Sequence, residues 1–315
     1  MQTMPKSCSV IYFIREKKMK AAILILTNKS PLILKRLIHA LDDCRFDIFV
    51  HVDAKSHLED FCFPTYSLQH SRLFILPNRI KAYWGDISLS DAMIHLYRYA
   101  LSKGTYQWFI TLSGEDYPIQ SNQTICDTLL QQHEDSILMY PCTPPRCRGY
   151  WFHKIPNKLL TRSIRKALSI LGIRKKPYLT VNGEKWTVCH ASQWHALTKE
   201  SVLHLLSVYD RHPVIRRYFR FSHAPDEMVI PTILYNTPPY PEYAPTHFHA
   251  SPLSFEAMAC IHFLKYQPQK NTTVKILDES AYHEIISSQK LFVRKVQTGI
   301  SDALLDRLDA FRNGG

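Results

Sequence analysis

Ala21-Ala22-Ile23-Leu24-Ile25-Leu26-Thr27, followed at once by Asn28-Lys29-Ser30-Pro31, is the stretch on which the fold turns. Six apolar residues in succession, with no polar alternation, describe a strand covered on both faces, as in parallel sheets. The polar quartet breaks the strand. Leu32, Leu34, Leu37, Ile38 and Leu41 then recur at helical spacing, with Ser30 as the expected cap and Pro31 at the first helical position. Further strands are read at Phe46 to Val52, ending in Asp53-Ala54-Lys55, at Arg72 to Pro77, at Gln107 to Ser113 and at Ser136 to Tyr140. Leu89, Ala92, Met93, Leu96 and Ala100 set an amphipathic helix over Ser88 to Ser102. The expected fold is α/β, a mostly parallel central sheet flanked by helices. Ligands in such sheets lie outside the carboxyl ends of the strands. The exits at Thr27-Asn28, Asp53-Ala54-Lys55 and Ser113-Gly114-Glu115-Asp116 are therefore expected to meet at one crevice.

The chain has 315 residues, enough for one large domain, and 45% of them are hydrophobic, so neither a disordered nor a stapled miniature protein is indicated. No apolar run approaches the ~20 residues of a membrane span. The net charge of +12 points to polyanionic partners: nucleic acid, an anionic membrane or phosphorylated small molecules. Ten Lys or Arg and no acid lie between Arg146 and Lys176. Within that stretch Leu159, Leu160, Ile164, Ala167, Leu168 and Leu171 alternate with Lys158, Arg162, Arg165 and Lys166 at helical spacing. The segment reads as a membrane-surface helix, as a collar for an acidic acceptor, or as a solvated helix with one face in the core. Strands are expected again at Lys185 to Ala191 and Trp194 to Leu197, then a helix from Lys199 to Tyr209. The eight cysteines form no C-x-x-C pair, which argues against zinc and for a reduced, cytoplasmic protein. Residues 1–18 read as a leader or an over-extended start before Met19, and no secretion signal is recognised.

P-loop, G-x-G-x-x-G, G-x-S-x-G and H-E-x-x-H patterns are absent, and so is any Asp-x-Asp pair. A chain that handles a nucleoside diphosphate without that pair must neutralise the leaving group with its own cations. Two segments remain. In His223-Ala224-Pro225-Asp226-Glu227-Met228, Asp226 is expected to cap a helix, with Glu227 one step inside as a general base or merely a complement to the helix dipole. In Lys290-Leu291-Phe292-Val293-Arg294-Lys295-Val296, flanking apolar residues suggest that Arg294 or Lys295 is anchored and aimed.

Six blocks then fall in order: His51-Val52-Asp53-Ala54-Lys55, Trp84-Gly85, Leu112-Ser113-Gly114-Glu115-Asp116-Tyr117-Pro118-Ile119, Ser192-Gln193-Trp194-His195-Ala196-Leu197-Thr198, Pro225-Asp226-Glu227 and Leu291-Phe292-Val293-Arg294-Lys295. Together, over roughly residues 20–297, they resemble the core-2/I-branching β-1,6-N-acetylglucosaminyltransferase family, which includes the peptide O-xylosyltransferases, here as a bacterial-type member. The resemblance implies a variant of the GT-A-like glycosyltransferase fold, a UDP-sugar co-substrate, inversion at the anomeric centre, and no metal or other cofactor. Glu227 takes the place of the catalytic base and Lys295 that of a diphosphate contact. Asp53 falls near the uridine and Gln193 and Trp194 near the sugar, and Arg294 and Asp116 join them as substrate-binding residues. One departure stands out. Where the family has a second diphosphate-binding arginine, Ile261-His262-Phe263-Leu264-Lys265-Tyr266 offers His262. Either the imidazole is charged in the complex, Lys265 or Lys270 substitutes, or activity is weak.

The function expected from all this is metal-independent, inverting transfer of N-acetylglucosamine, or else xylose, from a UDP-sugar to a glycan or glycolipid hydroxyl. The product would be a β linkage in surface-polysaccharide or lipid-linked glycan synthesis. One domain over 19–315 is expected, with a nucleotide-binding half at 19–141 and an acceptor and catalytic half at 142–315 that ends in the diphosphate-binding segment. The expected location is cytoplasmic, with peripheral contact at the inner membrane face. A non-catalytic protein binding nucleic acid or a sugar nucleotide is the alternative. The basic and aromatic residues of Arg146 to Lys154 motivate the nucleic-acid form, though no base-stacking motif accompanies them.

Overall fold

The computed structural model describes residues 19–61, 67–142, 158–173, 175–239, 246–267 and 274–314. Its centre is a five-stranded sheet of β1 (Ala21–Thr27), β2 (Phe46–Val52), β3 (Arg72–Ile75), β4 (Trp108–Ser113) and β10 (Ala196–Thr198), in the order β10-β4-β1-β2-β3. All neighbours run parallel except β10, which is antiparallel to β4 at one edge. Every residue of β1 is buried. Ala22, Leu24 and Leu26 join one apolar cluster, and Ala21, Ile23 and Ile25 join the other on the opposite face. This two-sided burial is why the strand shows no polar alternation. Each fully buried Leu, Ile or Val contributes roughly 1.5–3 kcal/mol against its exposed state.

Helices α1 (Pro31–Ala40), α2 (Ile87–Lys103) and α3 (Asn122–Gln132) cover the sheet. Pro31 opens α1 as expected, but Ser30 stands in a left-handed conformation at φ 59° and its side chain caps nothing. Asp86 caps α2, its carboxylate accepting from the Ser88 amide at 3.0 Å. Asp47 is the one acid in buried β2. Lys20 lies 2.9 Å away, Arg72 pairs with it, and Tyr106 donates to it at 2.7 Å, so the charge is not left alone.

The anticipated fifth strand resolves differently. Ser136 makes only an isolated bridge to Ala196, and β6 (Met139–Pro141) turns away to pair with β9 (Cys189–Ala191). The expected strand over Lys185 to Ala191 divides at Val188. Its first part, β8 (Glu184–Thr187), forms a hairpin with β7 (Tyr178–Val181). Asn182 and Gly183 join them with φ of 50° and 87°, a pair of left-handed residues that suits a two-residue hairpin turn. Helix α4 (Lys158–Ile170) precedes that hairpin, and α5 (Lys199–Arg211), α6 (Val214–Phe219) and α7 (Val229–Asn236) follow.

A second sheet, β11-β12-β5, joins distant segments. In it β12 (Phe292–Arg294) lies antiparallel to β5 (Asp116–Pro118) and parallel to β11 (His262–Phe263). Helix α8 (Asp302–Arg312) clamps this arrangement: Asp309 accepts from Arg36 and from Tyr117 Oη at 2.7 Å, and Arg312 donates to the carbonyl of Ala40 at 2.8 Å.

Candidate active site

The chain goes on from β1 to β2 on one side of the sheet and from β4 eventually to β10 on the other, so the β1–β4 junction is a topological switch point at which α/β sheets bind ligands. A cleft of about 1030 Å³ opens there. Thr27, Asn28 and Lys29 after β1, Asp53 and Lys55 after β2, and Ser113, Gly114 and Glu115 after β4 all face it. The three exits converge because their backbones are tied together: the Asp53 amide donates to Thr27 at 2.8 Å and the Gly114 amide to Leu26 at 3.0 Å.

Gly114 is required by this closeness. A Cβ there would stand 2.8 Å from Thr27 Cβ, nearer than real carbon contacts come. Gly114→Ala is expected to cost about 1–3 kcal/mol as the two loops are pushed apart. Urea denaturation of the variant measures this, and an unchanged midpoint would refute the steric account.

Glu227 enters the cleft from the opposite wall. Pro225–Glu227 forms a single 3₁₀ turn before α7. Ala224 precedes the turn in a left-handed conformation, so Asp226 does not cap a helix as anticipated. The Ala224 amide donates to the carbonyl of Gly85 at 3.0 Å, and Gly85 has φ 67°, where a side chain would be strained. That bond fixes the turn against the cleft-lining Trp84-Gly85 segment. Glu227 is 19% exposed, and its Oε2 lies 2.8 Å from Nε2 of His190, which is 1% exposed. His190 comes from β9 and stacks at a tilt on Tyr140 of β6, with ring centres 5.1 Å apart. A carboxylate held by a buried imidazole at the edge of a cleft has the position of a general base.

The cations come from β12. Its register sets Arg294 directly opposite Asp116, and the guanidinium reaches Asp116 Oδ1 at 2.6 Å and also donates to Ser113 Oγ. Asp116 is fully buried. Its other oxygen accepts from the Ser113 amide at 2.7 Å and meets His262 Nε2 at 3.2 Å. Burial alone would raise the Asp116 carboxyl, but Arg294, His262 and the Ser113 amide hold it well below the usual carboxylate range. Arg294 stays on the cleft, its guanidinium 4.6 Å above the Trp194 ring. Lys295 also faces the cleft and lies 3.0 Å from Glu115, whose other oxygen is 3.3 Å from Lys29. Burial weakens the hold of Lys295 on its proton, and Glu115 opposes that.

Because the folded Asp116 carboxyl is depressed, its stabilisation is complete above the unfolded value of about 3.9 and fades as pH falls from there toward the folded value. Asp116→Asn should therefore lose about 3–5 kcal/mol at neutral pH by leaving Arg294 half-buried without its counter-ion. The gap from the native chain should narrow below about pH 4. Denaturation titrations across that range give the answer, and a pH-independent gap would remove the ionic reading.

Asp53 folds back on its own turn, accepting from the Lys55 amide at 2.8 Å with Lys55 Nζ at 3.3 Å. Gln193 and Trp194 also line the cleft. His262 does not face the cleft. It is 1% exposed, packed between Asp116 and the ring of Phe292, so an anion in the cleft meets Arg294 before it meets this imidazole. Lys265 pairs instead with Glu284, and Lys270 lies outside the described residues, as do Arg146 to Lys154. Asp116 likewise stands behind the wall and orients Arg294. Among the described residues no three His, Cys, Asp or Glu side chains converge in a way that could hold a metal ion.

A sequence model of the core-2/I-branching enzyme family matches residues 22–250. The chain belongs to that family. Xylosyltransferase 1 of Canis lupus familiaris is 23% identical over 233 residues, covering 73% of this chain and 24% of its own length. Xylosyltransferase 2 of the same species is 24% identical over 224 residues, covering 69% and 24%. Xylosyltransferase 1 of Homo sapiens is 24% identical over 221 residues, covering 69% and 22%. The chain thus spans about a quarter of the length of these curated relatives. A mainly parallel sheet flanked by helices accords with the GT-A-like fold expected of this core-2/I-branching enzyme.

The sequence alone assigned no role to His51, Glu115 and Lys29, which line the cleft, or to His190, which stands behind Glu227. His51 accepts from the Ile80 amide at 2.9 Å, and burial lowers its pKa to about 4, so the ring is neutral at physiological pH. His190 is separated from Glu227 by 37 residues and lies in a strand with nothing to mark it out. The packing of β9 on α7, where the Cys189 amide donates to Thr232 Oγ1 at 3.0 Å, brings it to the turn.

Proposed function

We propose that this core-2/I-branching enzyme is an inverting, UDP-sugar-dependent glycosyltransferase. The reading rests on one observation above all: a carboxylate, Glu227, and two cations, Arg294 and Lys295, brought from distant segments to line one cleft at the sheet's switch point. Its volume of about 1030 Å³ suits a nucleotide sugar with room for an acceptor. In the proposed reaction Glu227 accepts the proton of an acceptor hydroxyl as that oxygen attacks the anomeric carbon. The bond from that carbon to the diphosphate oxygen breaks on the opposite face, and its electron pair leaves with UDP. Lys295, with Arg294 beside it, then carries the charge that builds on the diphosphate. Attack opposite the leaving group converts an α-linked donor into a β linkage. His190 orients Glu227 through the 2.8 Å contact. UDP-N-acetylglucosamine and UDP-xylose are the donors to test first, the second because the named relatives are xylosyltransferases. A glycan or glycolipid hydroxyl in surface-polysaccharide or lipid-linked glycan synthesis is the proposed acceptor.

UDP release across a panel of UDP-sugars, with EDTA present throughout, tests the proposal. One donor is expected to stand out and to persist in chelator. Loss of release in EDTA with rescue by manganese would overturn metal independence, and no release from any donor would overturn the activity. A second reading, binding of a sugar nucleotide without turnover, is favoured by the burial of His262 where the family carries a further arginine. UDP protection in a thermal melt without release from any donor would select it, and protection by oligonucleotides alone would select a nucleic-acid function.

A further inference from the structure

Helix α4 has an apolar face and a basic face, and none of its residues with a described side chain is buried. The expectation of a face packed in the core is not met. Ile170, Leu171 and Ile173 at its end are 75%, 70% and 46% exposed, whereas every other described helix buries at least one apolar residue. Arg162 and Lys166 are exposed on the basic face. Two residues past Ile173 the chain enters a shallow pocket of about 450 Å³. Lys175, Lys176 and Arg217 line it together with Tyr178, Tyr218 and Phe221. Lys175 is 8% exposed, its ammonium donating to Ser222 Oγ and lying 4.2 Å above the Tyr218 ring, so Lys176 and Arg217 are the pocket's outward cations. Phe221 is 39% exposed at the same pocket.

We propose that α4 and this adjoining pocket form a docking surface for an anionic lipid bilayer. Apolar side chains held out of the core at one end of a basic helix, next to cations set among aromatic rings, match the two layers of such a surface. Leu and Ile enter the acyl boundary while Lys and Arg meet phosphate headgroups. The charge argues for a membrane over a second copy of this chain seated face to face, because α4 carries Arg162, Arg165 and Lys166 and no acid. The pocket shares no lining residue with the cleft, and the proposal does not depend on the proposed reaction.

Co-sedimentation of the full chain with vesicles tests it. Binding is expected to phosphatidylcholine–phosphatidylserine vesicles at low salt, to weaken at high salt, and to be absent with phosphatidylcholine alone. Arg162→Ala with Lys166→Ala should lower affinity about 30-fold, from roughly 1 kcal/mol per cation. Ile170→Ser with Leu171→Ser should lower it about tenfold, with the melting temperature unchanged because neither side chain packs in the core. Absence of binding to the anionic vesicles would overturn the proposal. So would full binding by both double variants, which would leave only diffuse attraction by the net charge, and so would concentration-dependent dimerisation abolished by Ile170→Ser with Leu171→Ser.

Discussion

Glu227→Gln is expected to lower transfer by about 10² to 10⁴ while UDP affinity stays within about twofold. The amide fills the same space and still meets His190, whose contact of 2.8 Å leaves the turn in place. What disappears is the ability to take a proton from the acceptor hydroxyl as its oxygen attacks. Since only the carboxylate can accept the proton, native turnover should show an acid limb that the Gln variant lacks. Single-turnover rates beside UDP titrations separate the two effects. A variant that keeps more than about half the native rate removes Glu227 from the role of base. His190→Asn adds a control: if the imidazole orients Glu227, that variant should shift the acid limb as well as lower the rate, whereas a purely structural loss would leave the limb where it was.

Lys295→Ala should slow transfer by about 10² to 10³ and weaken UDP binding by about tenfold. The asymmetry follows from where the charge develops. A cation near a bound diphosphate acts before reaction, and it gains as the bond to the sugar breaks and negative charge builds on the leaving oxygen. Without ligand, Lys295 and Lys29 share Glu115 at 3.0 and 3.3 Å, so an entering diphosphate competes with a carboxylate that already holds both ammonium groups near the cleft. Lys29→Ala should affect binding more than rate, because its side chain is 54% exposed and its field is screened by water. Unaltered binding and turnover in Lys295→Ala would place the end of β12 outside the reacting region.

Much of the scaffold was legible before any coordinates. Ala21 to Thr27 and Phe46 to Val52 declared themselves because a strand covered on both faces must be apolar throughout, and a strand exit must be polar where it meets solvent. The crevice at the ends of β1, β2 and β4 follows from that pattern and the rule for open α/β sheets. Where local reading failed, a tertiary contact had overruled it. Ser30 was a plausible cap, yet the chain leaves β1 through a left-handed turn that points its hydroxyl away. Ser136 to Tyr140 has strand composition, but the main sheet's edge is closed by β10, and β6 pairs elsewhere. Asn182-Gly183 carries its hairpin signal in the sequence itself, since both residues tolerate the left-handed conformation the turn requires.

The sequence by itself determined the layered α/β architecture and the crevice, because those depend on composition and short-range pattern, and it pointed to Glu227, Arg294 and Lys295 through the family resemblance. Tertiary structure alone decided what each of them touches. The antiparallel register of β12 on β5 turns Asp116 into the buried counter-ion of Arg294 across 178 residues of chain. The same small sheet draws His262 behind the wall instead of onto it. The packing of β9 on α7 carries His190 to Glu227. Strand register is set by backbone hydrogen bonds between segments far apart in the chain, and spacing along the chain does not encode those partners.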